Sequence, residues 1–463
     1  MRVLRTSAKW LAAAVLLVIT GIGLWLYVAP PALIQVGSNY AAKIVCSNVF
    51  VAGRNAAEVL KVDVQAPGHP LLRLMSVSVD PEAGTVKAGL FGLFGGGLAV
   101  ARDNGGCATV PDGDLEAARA FAQEPPAEVV ADPEALWPQG EHVQPSQDPA
   151  LAAVLDDAGL TGPGMRAVVV VKDGRIVGER YGDGFSASTP LLGWSMTKTV
   201  NAALVGTLIR DGKMSLEAKG LFESWKADRR AQISLADLMA MSSGLAFNED
   251  YGDVTDVTRM LYLEPDMASF AADKPLSGEP GKVWSYSSGT AALLSKLWQD
   301  AVGDPDRALA WPRAALFDPL GMASAIFETD ARGTFAGSSY LYATARDWAR
   351  FGQFLLDDGA WNGRQLLPSG FVAWMHEAAP ASNDEYGRGQ VWLHGPTGPG
   401  PVGADPDGGI DLPNDAYWML GHDGQSTAII PSHRLVVLRL GLTPSKIGYK
   451  PQALVAALVA ALE

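Results

Sequence analysis

No charged residue lies between Trp10 and Pro30, and most of that stretch is apolar. About twenty such residues are enough to cross a bilayer as a helix. The rest of the chain must therefore fold on one side of a membrane or be released from it. Arg2, Arg5 and Lys9 precede the stretch. A basic flank stays in the cytoplasm, so the chain beyond the stretch is exported. A cleavable signal peptide has a shorter core, ~7–15 residues, and ends at a small-x-small site. Here the flank reads Leu26-Tyr27-Val28-Ala29-Pro30-Pro31, a poor site. The sequence favours a signal anchor over residues 1–30, a single pass through the inner membrane with the body in the periplasm. A cleaved signal peptide and a buried core helix are the alternatives.

Export sets the reading of the two cysteines, Cys46 and Cys107. Both lie beyond the apolar stretch, and an oxidising compartment lets them pair. Two buried free thiols are the alternative. The six histidines, His69, His142, His376, His394, His422 and His433, form no ligand-spaced cluster, so no metal is expected. With 36 Lys and Arg against 50 Asp and Glu, the net charge is −14. Phosphate binding needs clustered basic residues, which argues against a nucleic-acid partner. An apolar content of 48% excludes a disordered chain, and the 51 glycines and 30 prolines follow no collagen-like period.

The chain divides into four segments. Residues 1–30 are the anchor. Residues 31–120 read as a small unit: a helix over Tyr40 to Val51 containing Cys46, strands over Leu71 to Val79 and Thr85 to Leu90, then a turn at Asn104-Gly105-Gly106 leading to Cys107. Residues 121–149 carry Pro125, Pro126, Pro133, Pro138, Pro145 and Pro149, the mark of a linker or extended arm. Residues 150–463 form the main domain. Asp173-Gly174 between two β-branched runs predicts a hairpin. Ser195 to Arg210 predicts a helix stopped at Gly212, and Tyr342 to Leu356 another. Ser426 to Pro431 and Leu435 to Leu442 read as strands, and Gln452 to Leu462 as a closing helix. Strands at both ends with helices between them predict an α+β fold. Its sheet draws on both ends of the domain, and a helical domain is inserted between them.

Three motifs bear chemistry. Ser195-Met196-Thr197-Lys198 puts Ser195 and Lys198 on one helix face. Serine needs a base to take its proton, and lysine serves only when desolvation lowers its pKa. Tyr286 and Ser288 stand where a loop opens into a helix, and a tyrosine there can pass a proton to a leaving group. Gly421-His422-Asp423-Gly424-Gln425 precedes a strand, where glycine lets a substrate approach the backbone. Taken singly, these are an ordinary helix start, a half-buried tyrosine and a tight turn.

In this order the three motifs resemble the penicillin-recognising serine hydrolases: class C β-lactamases, DD-peptidases and related esterases. Leu238-Met239-Ala240-Met241-Ser242-Ser243-Gly244-Leu245, Asn248-Glu249-Asp250-Tyr251, Asp318-Pro319-Leu320-Gly321-Met322, Gly337-Ser338-Ser339-Tyr340 and Arg346-Asp347 are similar to the 6-aminohexanoate-dimer (nylon-oligomer) hydrolase branch. The resemblance covers residues 150–463 and implies a β-lactamase/transpeptidase-like fold, no cofactor, and a small-molecule amide or ester as substrate. It implies that Ser195 is acylated, Lys198 is its base, Tyr286 handles the leaving group's proton, and Ser288 orients lysine or substrate. Two registers of the third motif stay open. Gly421 at the motif glycine makes the His422 N–H the second oxyanion donor. The other register puts the His422 side chain in the cleft and gives that task to the Gln425 N–H. The first is preferred. Either way Met419 or His422 stands where β-lactamases place a carboxylate-binding lysine. Carboxylesterase, β-lactamase or DD-peptidase action at the same site is the alternative, and a catalytically silent envelope-binding or sensor protein is the alternative of another class.

Overall fold

The computed structural model describes residues 2–66, 68–127, 134–397 and 405–463; Pro133 of the proline-rich arm lies outside them. Helix α1, Arg2–Val28, carries the apolar stretch. Among the described residues it is the one helix long and apolar enough to cross a membrane, and its apolar span, Lys9–Val28, is not buried against the rest of the protein. Pro30 and Pro31 separate it from α2, Ala32–Phe50. This second helix starts well before the expected Tyr40, because Ile34 and Val36 extend its buried face.

Beyond α2, four antiparallel strands form a meander: β1 Met75–Asp80, β2 Thr85–Leu90, β3 Phe94–Arg102 and β4 Gly106–Thr109. The expected strand from Leu71 begins only at Met75, because Pro70–Leu74 forms a 3-10 turn. Helix α2 packs across this sheet, and Cys46 on α2 is bonded to Cys107 on β4. The loop so closed spans 61 residues, which constrains the unfolded chain by about 4 kcal/mol. Residues 137–140 of the proline-rich arm lie against the main domain: Trp137 is buried, and Arg350 donates to the carbonyls of Pro138 (3.1 Å) and Gly140 (2.8 Å).

Helix α3, Pro149–Asp156, opens the main domain. Its sheet runs in the order β7-β8-β9-β5-β6, all antiparallel, with β5 Met165–Lys172, β6 Arg175–Tyr181, β7 Tyr417–Gly421, β8 Gln425–Ile430 and β9 Leu435–Gly441. Both chain ends thus build one sheet. Asp173 and Gly174 both have positive φ, as a tight two-residue hairpin requires. The run Val168–Val171 is apolar without alternation because helices cover both faces. Val168 and Val170 pack with Leu151 of α3 and with Leu454 and Leu458 of the closing helix. Val169 and Val171 face the larger core. Between β6 and β7 come α4 Thr197–Arg210, α5 Ser288–Val302 and α6 Ala345–Leu356, with several short helices; α7 Pro451–Leu462 closes the chain. The expected helix from Tyr342 starts at Ala345, because Leu341–Ala343 is a short strand.

Candidate active site

Ser195 sits between a strand and a helix. Leu191–Leu192 pairs with Leu341–Ala343, and the Gly193 N–H donates to the Leu341 carbonyl at 3.0 Å. A Cβ on Gly193 would stand 2.2 Å from the Trp348 ring, so only glycine lets the turn close there. Trp194 then takes φ +48°, a left-handed conformation that costs a bulky residue of order 1–3 kcal/mol. The turn runs through Trp194–Met196 as one 3-10 turn into α4. It leaves Ser195 half-exposed while its neighbours Trp194 and Met196 are buried.

Lys198 projects from the first turn of α4 and is 1% exposed. Its Nζ lies 3.0 Å from Ser195 Oγ, 3.2 Å from Ser288 Oγ and 3.0 Å from the Ser338 carbonyl oxygen. Burial lowers its pKa to about 8, against the opposing pull of Glu249. Ser288 opens α5, held by the Ser287 cap on the Thr290 N–H. Tyr286 lies just before it. Its ring centre is 4.6 Å from Lys198 Nζ. Burial, with Glu249 adding to it, pushes the Tyr286 hydroxyl well above its usual range, so it stays protonated. Tyr386 and Trp392 wall the far side of its ring, with centroids 5.8 and 5.2 Å away.

Glu249 is the member of this cluster that sequence reasoning missed. The sequence offers Asn248-Glu249-Asp250-Tyr251 either as a loop over the site or as a solvated loop, with no role for Glu249. In the fold its carboxylate accepts from the Ser288 N–H at 2.8 Å and from Ser288 Oγ at 2.5 Å. Burial raises its pKa, and Lys198 opposes the rise. No spacing rule links Glu249 to Ser288; only the path of the 248–251 loop does.

The third motif closes the site at the sheet edge. Gly421 ends β7 against the serine turn: a Cβ there would stand 2.2 Å from the Gly193 carbonyl oxygen. The His422 ring is 48% exposed, stacks on Tyr251 and meets Trp194 edge-on, each at 5.5 Å between centroids. Gln425 is buried, and its amide clamps the turn: Nε2 donates to the carbonyls of His422 (2.9 Å) and Gly441 (2.7 Å), while Oε1 accepts from the Gly441 N–H (2.9 Å). Met419 is fully buried, so that position offers no cation to the cleft.

The Beta-lactamase family model matches residues 157–460. The chain belongs to the beta-lactamase family. It is a serine hydrolase by that membership. Three solved structures share the fold. A 6-aminohexanoate-dimer hydrolase homologue from Bacillus anthracis is 23% identical with a TM-score of 0.51, covering 73% of this chain and 86% of its own. A beta-lactamase homologue from Bacteroides dorei is 17% identical with a TM-score of 0.52, covering 68% and 98%. A penicillin-binding protein from Bacillus halodurans is 16% identical with a TM-score of 0.50, covering 67% and 99%. No curated protein matches this chain. The family match begins after the anchor, the meander and the arm, so residues 31–149 stand outside it.

Proposed function

We propose that this beta-lactamase-family hydrolase cleaves an amide or ester through an acyl-enzyme on Ser195, as a 6-aminohexanoate-dimer hydrolase would, with its body on the exported side of the inner membrane. The observation that carries the reading is a buried lysine amine, its pKa brought down to about 8, lying 3.0 Å from a half-exposed serine hydroxyl.

Proton bookkeeping supports the roles. A neutral lysine has two N–H donors and one lone pair. Around Lys198 stand two acceptors, Ser288 Oγ and the Ser338 carbonyl, and one hydroxyl to be deprotonated, Ser195. Ser288 accepts from Lys198 and donates its own hydrogen bond to Glu249, so the lone pair faces Ser195. As Ser195 Oγ bonds to the substrate carbonyl carbon, Lys198 takes its proton. The backbone N–H groups of Ser195 and His422 hold the developing oxyanion. Tyr286 gives its proton to the departing amine or alcohol, and Lys198 returns one to the phenol oxygen. Water then attacks the ester along the same path in reverse. In this role Gln425 shapes the His422 turn through its side chain. With Met419 buried in place of a lysine, an acyl group without a carboxylate fits better than a penicillin.

Ser195→Ala, assayed against p-nitrophenyl esters and 6-aminohexanoate dimer, should lose turnover by several orders of magnitude. A fluorophosphonate probe should label Ser195 in the wild-type chain. Unchanged turnover in the variant, or an adduct mapped elsewhere, would remove Ser195 from the mechanism.

A further inference from the structure

A pocket of about 130 Å³ adjoins the serine turn, and one of its walls comes from outside the family's fold. Leu33 and Val36 of α2 and Leu71 and Leu72 of the 3-10 turn before β1 contribute to that wall. Trp194, Tyr251 and His422 of the main domain form the other. Trp194 is the chain neighbour of Ser195, and His422 follows the glycine that touches the Gly193 carbonyl. The wall is tightly packed. Gly37 faces the 3-10 turn, where a Cβ would stand 2.8 Å from the Met75 methyl and 3.3 Å from Leu72.

We propose that this pocket holds the apolar acyl arm of an amphiphilic substrate, so that the N-terminal unit is part of the substrate site; the inference rests on the acyl-enzyme reading above. Three observations choose the occupant. Leucine and valine side chains make most of the N-terminal wall, with Tyr40 and His69 beside them, and the facing wall is largely aromatic with Asp253 and Thr258 at its side, so an apolar group meets a mainly apolar lining. The volume is close to that of a cavity that accepts benzene, which corresponds to roughly four to six carbons. Tyr286, which serves the leaving group, does not line the pocket and is walled instead by Tyr386 and Trp392. The pocket adjoins Ser195 through its neighbour Trp194 and through His422, and not through Tyr286, which assigns it to the acyl arm.

The source of such a substrate is close by. Leu33 follows the end of α1 by five residues, a span of at most ~17 Å of extended chain. Leu74, Phe91 and Leu93 are exposed on the same unit, and the Phe91 N–H bonds the Leu74 carbonyl at 2.8 Å, so they cluster. An apolar cluster near a membrane helix sits in the bilayer interface, where amphiphilic esters and amides concentrate.

The test is a series of p-nitrophenyl esters from acetate to dodecanoate, with the full chain in detergent. The readout is the hexanoate-to-acetate ratio of kcat/KM. Each buried methylene is worth about fourfold, so filling the pocket with Leu33→Trp or Leu71→Trp should lower the ratio at least about tenfold. Leu71→Ala should move the preferred chain length upward. An unchanged ratio in folded tryptophan variants overturns the proposal. The unmodified protein gives a second measurement: hexylboronic acid should inhibit at least about tenfold more tightly than methylboronic acid, and equal inhibition overturns the proposal too. Ser195→Ala separates the two readings. If it still turns over acetate, the acyl-enzyme reading fails. If it is inactive while the wild type ignores chain length, only the acyl pocket fails.

Discussion

Lys198 faces three partners that suit a neutral amine and a carboxylate, Glu249, that favours an ammonium. Burial wins, bringing the pKa down to about 8. Below that pH the amine is protonated and has no lone pair for Ser195. The kcat/KM should therefore fall about tenfold per pH unit on the acid side and level off above pH 8. Glu249→Gln removes the charge that holds the proton on Lys198. The amine pKa then drops further and the acid limb moves to lower pH, whatever happens to the maximal rate. A limb that stays in place, or moves to higher pH, contradicts the electrostatic role of Glu249. In the proposed mechanism Tyr286 has the opposite demand, to keep its proton until the leaving group takes it, and its raised pKa suits this. Tyr286→Phe should lower kcat by about 10²–10⁴, most for amides, whose poor leaving group needs the proton most. Equal losses on amide and activated p-nitrophenyl ester would assign Tyr286 to positioning instead. Ser195, Lys198 and Tyr286 were legible as candidates because local spacing or a helix start carries them, and the fold brings them together. Glu249 was not, because its partner Ser288 is 39 residues away in sequence and meets it only through the loop path.

Two elements must touch for this chemistry to have an oxyanion site: the turn at Gly193–Ser195 and the edge strand β7. Their contact is glycine on carbonyl, with no room for a methyl group at Gly421. Gly421→Ala should push the His422 N–H away from Ser195 and lower kcat by about 10² or more, the range of losing one oxyanion donor. The near-UV circular dichroism should remain, since β7 stays paired with β8 through Tyr417–Leu420. Wild-type activity in Gly421→Ala would return the donor's role to the Gln425 register. The sequence signalled β8 and β9 through their apolar runs, and the β5–β6 hairpin through Asp173-Gly174. It did not signal β7. Tyr417-Trp418-Met419-Leu420 is short, comes after a loop rich in glycine and proline, and becomes a strand by pairing with β8.

The whole molecule poses a different question, namely how an N-terminal unit outside the family's fold is joined to the hydrolase. A single carboxylate makes much of the joint. Glu328, wholly buried in the main domain, accepts from Lys43 and Ser47 of α2 (2.8 Å for Ser47) and from the Cys107 N–H of β4 at 2.6 Å. Lys43 Nζ also lies 3.9 Å from the centre of the Tyr340 ring, two residues beyond the Ser338 carbonyl that holds Lys198. Composition and periodicity describe elements one at a time, so they revealed the unit and its disulfide-forming cysteines but not its docking. Lys43 reads as one charge on an otherwise uncharged helix, and Glu328 as one acid after a short strand. Removing one member of such a pair leaves the other buried and unpaired, which typically costs about 3–5 kcal/mol. Lys43→Met should therefore destabilise the protein by roughly that amount in urea unfolding. Adding Glu328→Gln removes the stranded charge while keeping acceptors for Ser47 and Cys107. The double variant should then recover at least about 2 kcal/mol over Lys43→Met alone. If the two substitutions simply add, the pair is not what fastens the unit to the domain. Because α2 also walls the pocket beside Ser195, Lys43→Met should reduce the hexanoate-to-acetate ratio before it unfolds the chain, which ties the docking of the unit to its part in the substrate site.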